Sequence, residues 1–191
     1  MVPPIPGLRY VPEYLDRETH DRLLTAVDFQ PWLMSVDHRV QIYGYAYRHA
    51  TRSAFRIGDL PQWAAEIGVR LYDDGLLPQI PDQMVANDYQ PGSGIFAHVD
   101  QAVLGDIVAS VSLGSTCVMR FSHGATRRTE ELLLEPRSVL VLSGEARWAW
   151  QHEIPARAVD IWQNEERHRA RRVSLTFRVI PPATAEDRLD V

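Results

Sequence analysis

A histidine and an aspartate stand two residues apart at His98 and Asp100, and their types and spacing fit metal chemistry. Residues two apart on a β-strand point to the same face, so one imidazole and one carboxylate would project together from a strand at Ile95–Asp100. Ile95 and Val99 would then point to the opposite face. An iron site with such ligands needs a second histidine from elsewhere in the chain. A His-x-Asp sequence is common by chance, so a polar pair at the end of an edge strand is the alternative interpretation.

The second histidine is predicted to be His152, in the strand-like segment Arg147–Ile154. It follows His98 by 54 residues, so only folding can bring the two imidazoles together. His123 is a weaker candidate, because the surrounding sequence SHGAT is typical of a hairpin turn. The other histidines lie in predicted helices or loops, where we expect them to face solvent: His20, His38, His49 and His168.

The segment RVSLTFR begins at Arg172 and ends at Arg178. On a strand, one face would carry these two arginines with Ser174 and Thr176, and the other face would be apolar. If the apolar face packs on an outer layer, the polar face lines the interior of a barrel. Two arginines in such an interior require an anion, for example a cosubstrate carboxylate. The alternative is a surface strand with a solvated polar face.

Short β-like runs separated by turn residues occupy the chain from about residue 83 onward. Eight of them, at this spacing, predict a mainly β fold with a barrel or a two-sheet jelly roll. The predicted strands are Gln83–Tyr89, Ile95–Asp100, Asp106–Ser112, Cys117–Ser122, Thr129–Leu134, Ser138–Ser143, Arg147–Ile154 and Arg172–Ile180.

Two helices are predicted before the strands, and we expect them to support one sheet from outside. The first is capped by Asp16 and continues to about Val27, with leucines on one side. The second has Pro61 in its first turn and runs towards Asp74, where Gly75 suits its end.

Length and composition indicate one ordinary globular domain of 191 residues. The net charge of −5 argues against a general nucleic-acid binder, although all 20 basic residues are arginines. The single cysteine, Cys117, excludes a disulfide framework and a multi-cysteine zinc site, and we expect it to be a buried structural thiol. No apolar run approaches a membrane span, and the N-terminus lacks a secretory pattern. A cytoplasmic location is therefore expected by default. We also expect a monomer.

The candidate site residues and the motifs around them resemble those of the AlkB-like iron(II)- and 2-oxoglutarate-dependent dioxygenases. The resemblance covers about residues 83–180 and, more loosely, the tyrosine-rich segment before them. A His-x-Asp pair with a distant histidine is shared by many dioxygenases, whereas Asn-x-Tyr before it and Arg-x5-Arg after it are specific to AlkB relatives. The motifs are, in chain order, Asn87-x-Tyr89, a Pro-Gly turn, His98-x-Asp100, the segments 110–114 and 143–147, His152, and Arg172-x5-Arg178.

The resemblance implies a double-stranded β-helix, or jelly-roll, core with flanking helices in a single domain, 1–191. Residues 1–82 would hold the N-terminal helices and a nucleotide-recognition lid, 83–180 the catalytic core, and 181–191 a tail. The implied cofactor and cosubstrates are Fe(II), 2-oxoglutarate and O2. The implied site comprises metal ligands at His98, Asp100 and His152, cosubstrate contacts from Asn87, Tyr89 and Arg172, and Arg178 as a catalytic residue that also contacts the cosubstrate.

The lid is expected within residues 39–56. Tyr43, Tyr45 and Tyr47 would stack on a base, and Arg48 and Arg52 would contact phosphates of single-stranded nucleic acid. The alternative is that the alternating tyrosines form one packed strand face.

The resemblance implies oxidative demethylation, and so repair, of alkylated bases in single-stranded DNA or RNA, with release of succinate, CO2 and formaldehyde. Ala102 departs from the pattern, because DNA-repairing members often carry an acidic residue at this position. The motifs are more similar to those of AlkB homologues that hydroxylate a tRNA wobble uridine. A modified tRNA nucleoside, a methylated protein or a small molecule is therefore the alternative substrate. The third hypothesis is a binding module with a relic metal site.

Overall fold

The structure, a computed structural model, describes residues 2–35, 38–48 and 50–182 and the backbone of residues 185–186. The helices are α1 (Arg17–Asp28), α2 (Gln62–Asp73) and α3 (Gly144–Trp148), and a 3₁₀ turn spans Ala102–Leu104. The strands are β1 (Leu8–Val11), β2 (Leu33–Met34), β3 (Arg39–Tyr43), β4 (Tyr45–Arg48), β5 (Ser53–Arg56), β6 (Gln83–Tyr89), β7 (Ile95–His98), β8 (Val108–Gly114), β9 (Cys117–His123), β10 (Thr129–Leu134), β11 (Val139–Leu142), β12 (Trp150–Ile154), β13 (Val159–Trp162), β14 (Glu165–His168), β15 (Arg172–Arg178) and β16 (Ala185–Glu186).

Two antiparallel sheets face each other and form the core of the molecule. The major sheet has the order β1-β11-β8-β15-β6-β3-β2, and the minor sheet has the order β10-β9-β12-β7. Apolar side chains from both sheets fill the space between them, among them Phe121, Leu140 and Trp150. This arrangement is the predicted jelly roll, and it confirms a mainly β fold with few helices.

The helices α1 and α2 pack on the outer face of the major sheet, as predicted. Asp16 caps α1, since its carboxylate accepts a hydrogen bond of 2.7 Å from the backbone N–H of Thr19. Leu23 of α1 and Leu71 of α2 join a buried cluster with Phe177 of β15. The apolar face of β15 therefore contacts the helices, which leaves its polar face for the space between the sheets.

A β-bulge in β7 corrects one sequence prediction. His98 pairs with His152 and Ile95 pairs with Ile154, so three steps along β7 match two steps along β12. The extra residue moves Ile95 to the side of His98, whereas simple alternation placed it on the opposite face. Both side chains line the same cavity, and Phe96 between them is exposed.

Several element boundaries also differ from the predictions. The strand expected from Arg147 begins only at Trp150, because residues Gly144–Trp148 form α3. Gly-Glu-Ala-Arg suits a short helix, and Trp150 Nε1 donates a 3.0 Å hydrogen bond to Glu145 of that helix. Strands β1, β2, β5, β13, β14 and β16 are not among the predicted ones; all are short, and β14 is exposed throughout.

Cys117 is a free, buried cysteine as predicted, and burial raises the pKa of its thiol. No helix in the described part of the chain is long and apolar enough to cross a membrane. The predicted tail, apart from residues 181–182 and the backbone of β16, lies outside the described residues.

Candidate active site

His98, Asp100 and His152 converge on a cavity of about 390 Å³ between the two sheets. One ligand atom from each lies within 4.8 Å of the others. The register of β7 and β12 sets the two imidazoles opposite each other, with ring centroids 4.3 Å apart. Two histidines and one carboxylate on one side of a cavity are the donor set of a mononuclear iron(II) site with open positions.

The ring of His98 is oriented by a backbone group. Its Nδ1 lies 2.8 Å from the carbonyl oxygen of Phe96, and a carbonyl only accepts, so Nδ1 carries the proton. The Nε2 atom lies 3.5 Å from Oδ1 of Asp100. A backbone partner on one nitrogen and a free lone pair on the other is the arrangement of a metal-binding histidine.

The protonation of the three groups suits a cation. Desolvation lowers the pKa of His152 to about 4, so this imidazole is neutral at pH 7. Desolvation opposes ionisation of Asp100, yet Arg178 and His98 hold its pKa well below the usual range. Desolvation also lowers the pKa of His98, but Asp100 and the Phe96 carbonyl outweigh it, and the net shift is upward. A bound metal would displace any proton on the ligating nitrogen of His98.

Arg172 offers an anion site in the same cavity. It is buried, and its Nη2 donates a 3.0 Å hydrogen bond to Ser112 Oγ. Its Nε and Nη1 are buried and have no hydrogen-bond partner among the described residues. Unpaired guanidinium donors are costly to bury, so this arginine fits a ligand carboxylate.

Arg178 stands at the other end of β15, nearer the metal ligands. Its Nη2 donates to Asp100 Oδ2 at 3.1 Å and its Nη1 to Gln83 Oε1 at 3.1 Å. The guanidinium therefore both neutralises Asp100 and lines the cavity. Arg172 and Arg178, with Ser174 and Thr176 between them, face the interior and not solvent.

Asn87 and Tyr89 face Arg172 and Ser174 across the ladder of β6 and β15. Tyr89 pairs with Arg172 and Asn87 pairs with Ser174, and all four side chains line the cavity. Desolvation raises the pKa of Tyr89 to about 12, so its hydroxyl remains a neutral hydrogen-bond donor. Arg172, Asn87 and Tyr89 thus bring hydrogen-bond donors together in the cavity that holds the candidate metal ligands. This donor set fits a keto dicarboxylate bound beside a metal.

His38 also belongs to this site, contrary to the expectation that it faces solvent. Its Nε2 lies 3.0 Å from Oδ1 of Asn87, and its ring stacks on Tyr89 with centroids 4.7 Å apart. Its Nδ1 is buried without a partner in the described residues. No local pattern marks this histidine; the pairing of Val40 with Asn87 brings it there.

The other histidines are placed as follows. The side chain of His20 is only 14% exposed, and its Nε2 accepts a 2.9 Å hydrogen bond from Gly114 N; this corrects its predicted exposure. His123 closes the β9–β10 turn, where its Nδ1 accepts from Thr126 N at 3.1 Å. His168 is exposed as expected, and His49 lies outside the described residues.

The three lid tyrosines do not share one face. Gly44, with φ of +78°, separates β3 from β4, and a Cβ there would lie 1.8 Å from the Asp82 carbonyl oxygen. Tyr43 therefore lies on the helix side, edge-on to Trp63 with ring centroids 5.9 Å apart. It does not line the cavity, which argues against its predicted stacking on a base. Tyr45 and Tyr47 instead pack on a separate buried cluster: Ala54, Val103, Leu104 and Ile180.

Tyr47 is the lid tyrosine that lines the cavity. Its hydroxyl donates to Gln101 Oε1 at 3.4 Å, one residue beyond Asp100. Arg48 places its guanidinium carbon 4.7 Å from the centroid of the Phe55 ring. Arg52 is exposed in the turn between β4 and β5, with φ of +54°.

The sequence profile of the family described as "2OG-Fe(II) oxygenase superfamily" matches residues 30–178, and the chain belongs to this superfamily. It is therefore an oxygenase that uses Fe(II), 2-oxoglutarate and O2. Within the superfamily it is AlkB-like, as the sequence motifs predicted, since it is 31% identical to the "Alpha-ketoglutarate-dependent dioxygenase alkB homolog 7, mitochondrial" of Mus musculus, over 89% of this chain and 77% of that protein.

Several curated relatives carry AlkB-homologue names. The chain is 34% identical to the "Alkylated DNA repair protein ALKBH8 homolog" of Arabidopsis thaliana, over 92% of this chain and 59% of that protein. It is 35% identical to the "tRNA (carboxymethyluridine(34)-5-O)-methyltransferase ALKBH8" of Mus musculus, over 84% of this chain and 26% of that protein. The chain thus spans less than two thirds of either relative.

Among solved structures, "The structure of OsALKBH1" superposes with a TM-score of 0.67 at 17% identity, covering 91% of this chain and 97% of that chain. At this identity the likeness shows the fold.

Proposed function

We propose that this oxygenase oxidises a C–H bond on a modified base of single-stranded nucleic acid. The first candidate reaction is oxidative demethylation of an alkylated base in DNA or RNA, which yields succinate, CO2 and formaldehyde. The observation that carries the proposal is one cavity that combines a His-Asp-His donor set, an arginine with unpaired donors and a lid tyrosine.

In this proposal His98, Asp100 and His152 hold Fe(II), which when bound supplies the O2 and keto-acid chemistry. Arg172 binds the distal carboxylate of 2-oxoglutarate with its free Nε and Nη1. The buried guanidinium is already in place before the ligand arrives, so little reorganisation is needed.

The remaining cosubstrate contacts come from neighbouring strands. Asn87 and Tyr89 donate hydrogen bonds to the cosubstrate from β6. Arg178 holds the Asp100 carboxylate ionised and lines the space between the cosubstrate and the substrate.

On the substrate side, Tyr47 is the side chain of the lid best placed to contact a base. Arg48 and Arg52 flank it on β4 and in the following turn, where a phosphate backbone would meet positive charge. Because the chain carries a net charge of −5, binding of nucleic acid would depend on this local group of arginines.

Hydroxylation or demethylation of a modified tRNA nucleoside is the second candidate. Ala102, which begins the 3₁₀ turn after Asp100, offers no acidic group to a lesion base. The printed name of the mouse relative refers to a tRNA uridine, and this supports the second candidate.

The first experiment measures succinate release from 2-oxoglutarate with and without Fe(II). We expect turnover in the wild-type protein and its loss in H98A and D100A, with H123A as the matched control outside the cavity. A chain that releases no succinate under any condition and binds no metal would support the relic-site hypothesis instead.

The second experiment separates the candidate substrates by mass spectrometry. Methylated DNA and RNA oligonucleotides, bulk tRNA and methylated peptides are compared, and formaldehyde is measured in parallel. Formaldehyde with a mass loss indicates demethylation, whereas a gain of one oxygen indicates hydroxylation. Turnover of peptides alone would rule out a nucleic-acid substrate.

A further inference from the structure

Arg147 of α3 is a buried arginine whose guanidinium binds the backbone of one loop. Its Nε, Nη1 and Nη2 donate hydrogen bonds to the carbonyl oxygens of Gly105, Asp100 and Gln101 at 3.1, 2.9 and 2.9 Å. The side chain is only 2% exposed. The ring of Trp148 lies 4.2 Å from its guanidinium carbon and covers one face. Every nitrogen of this guanidinium therefore contacts the loop that carries Asp100.

Asp100 is the one candidate metal ligand of the three that lies outside a strand. His98 ends β7 and His152 lies within β12, so the register of these two strands sets the imidazoles opposite each other. Asp100 follows the end of β7, and the 3₁₀ turn Ala102–Leu104 begins two residues later. The strand ladder therefore does not determine where this carboxylate lies.

Arg147 supplies the missing constraint from the segment that precedes His152. The helix α3 ends at Trp148 and β12 begins at Trp150, so the guanidinium is tied by a short chain to the strand of the second histidine. Its hydrogen bond to the Asp100 carbonyl joins that segment to the loop of the carboxylate ligand.

We propose that Arg147 is a positioning residue for the metal centre, holding Asp100 against the His98–His152 pair through the loop backbone. This inference rests on the proposed metal-binding role of the three residues. Arg147 acts on the backbone, whereas the Asp100 side chain is bound by Arg178. A lysine cannot replace it, because an ammonium group lacks the planar fork that reaches three carbonyls at once.

The test measures Mn(II) affinity of the full chain by electron paramagnetic resonance for wild type, R147K and R147Q. Residues that orient metal ligands change metal affinity by roughly 10- to 100-fold, and we expect a loss in this range. In Co(II)-substituted protein, the absorption bands should shift in R147K, because the carboxylate ligand moves relative to the imidazoles.

The matched control is R169K, in another buried arginine that binds backbone. Arg169 donates to the Pro155 carbonyl at 2.8 Å and to Asp160, away from the metal ligands. We expect R169K to lower the thermal unfolding midpoint without a change in Mn(II) affinity or in the Co(II) spectrum.

Four outcomes would overturn the inference. If R147K binds Mn(II) as tightly as wild type, Arg147 does not position the ligand. Equal losses of affinity in R147K and R169K would mean that Arg147 and Arg169 act only through stability. Failure of both R147K and R147Q to fold would mean that Arg147 has a structural role alone. A wild-type chain that does not bind Mn(II) would overturn the metal-ligand assignment itself, which distinguishes that failure from the others.

Discussion

The β6–β15 ladder and the lid strand β4 line the same cavity but are built in different ways. Every residue of β15 is buried, and each pairs without a break to β6 on one side and β8 on the other. By contrast, β4 is a half-buried edge strand, and among the described residues it pairs with β5 alone. The ladder thus holds the chemical groups rigidly, whereas the lid is held by fewer contacts.

The difference matches the tasks proposed for the two regions. Arg172 and Tyr89 must meet the same cosubstrate in every turnover, and a central ladder fixes both side chains before it binds. The lid must admit a larger and more variable partner, for which an edge strand anchored by a small apolar cluster is sufficient. If the two regions have separate tasks, changes in the ladder should affect cosubstrate binding and changes in the lid should affect substrate binding.

The largest effect is expected on the ladder, in R172M. Truncating one partner of a buried charge pair costs about 2–5 kcal/mol, so we expect 2-oxoglutarate binding to weaken by a factor of roughly 30 or more. The free energy of unfolding without cosubstrate should fall by at most about 1.5 kcal/mol, because R172M loses the hydrogen bond from Nη2 to Ser112 Oγ but also removes the buried, unpaired Nε and Nη1. Calorimetric titration with 2-oxoglutarate in the presence of Mn(II) and urea unfolding measure the two quantities.

The matched control for R172M is R171M, one residue earlier. Arg171 binds Asp88 at 2.7 Å and Asp28 at 2.6 Å on the outer face of the ladder. R171M should lower the free energy of unfolding and leave 2-oxoglutarate affinity near the wild-type value. If R171M weakens 2-oxoglutarate binding and R172M only lowers the free energy of unfolding, the assignment of Arg172 is wrong.

The junction between the regions is tested by G44A. Alanine at φ of +78° costs about 1 kcal/mol, and a Cβ placed 1.8 Å from the Asp82 carbonyl adds overpacking of about 1–3 kcal/mol. We expect the free energy of unfolding to fall by roughly 2–4 kcal/mol in urea titration. G92A is the control, since Gly92 also has positive φ but open space around a Cβ, and its loss should be smaller.

The lid itself is tested by Y47A, with Y43A as its control. Stacking of one base on an aromatic ring is worth about 1–3 kcal/mol, so Y47A should weaken single-strand binding by roughly 5- to 150-fold. Y43A removes a ring that packs on Trp63, and it should lower stability instead. Fluorescence anisotropy with a labelled oligonucleotide distinguishes the two; equal effects on binding would show that Tyr43 belongs to the substrate surface.

The same contrast explains what the sequence could predict. Period-2 alternation in RVSLTFR placed Arg172, Ser174, Thr176 and Arg178 on the inner face correctly, because β15 runs through the sheet without a bulge. The pairing of β7 with β12 also places His98 opposite His152, as the predicted metal site requires. Uninterrupted strands carry their side-chain directions in their sequence.

Where the backbone leaves regular alternation, the predictions were wrong or incomplete. The bulge in β7 reversed Ile95, and the positive φ of Gly44 separated Tyr43 from the other lid tyrosines. His38 reaches the site because β3 pairs with β6, which is distant in sequence. Arg147 reaches it from the short helix α3. No local pattern encodes such contacts, since they depend on the packing of the whole sheet.

The smallest predicted effect concerns His38, at the border between the two regions. Its hydrogen bond fixes Oδ1 of Asn87. In the proposed function this leaves the amide N–H group of Asn87 to donate to the cosubstrate. One such bond contributes about 0.5–1.5 kcal/mol, so H38F should raise KM for 2-oxoglutarate roughly 2- to 10-fold with little change in kcat. H38Q retains a donor at the position of Nε2 and should recover most of the affinity, whereas H38F retains only the ring that stacks on Tyr89. If H38F binds more tightly than H38Q, ring stacking and not the orientation of Asn87 is the contribution of this histidine.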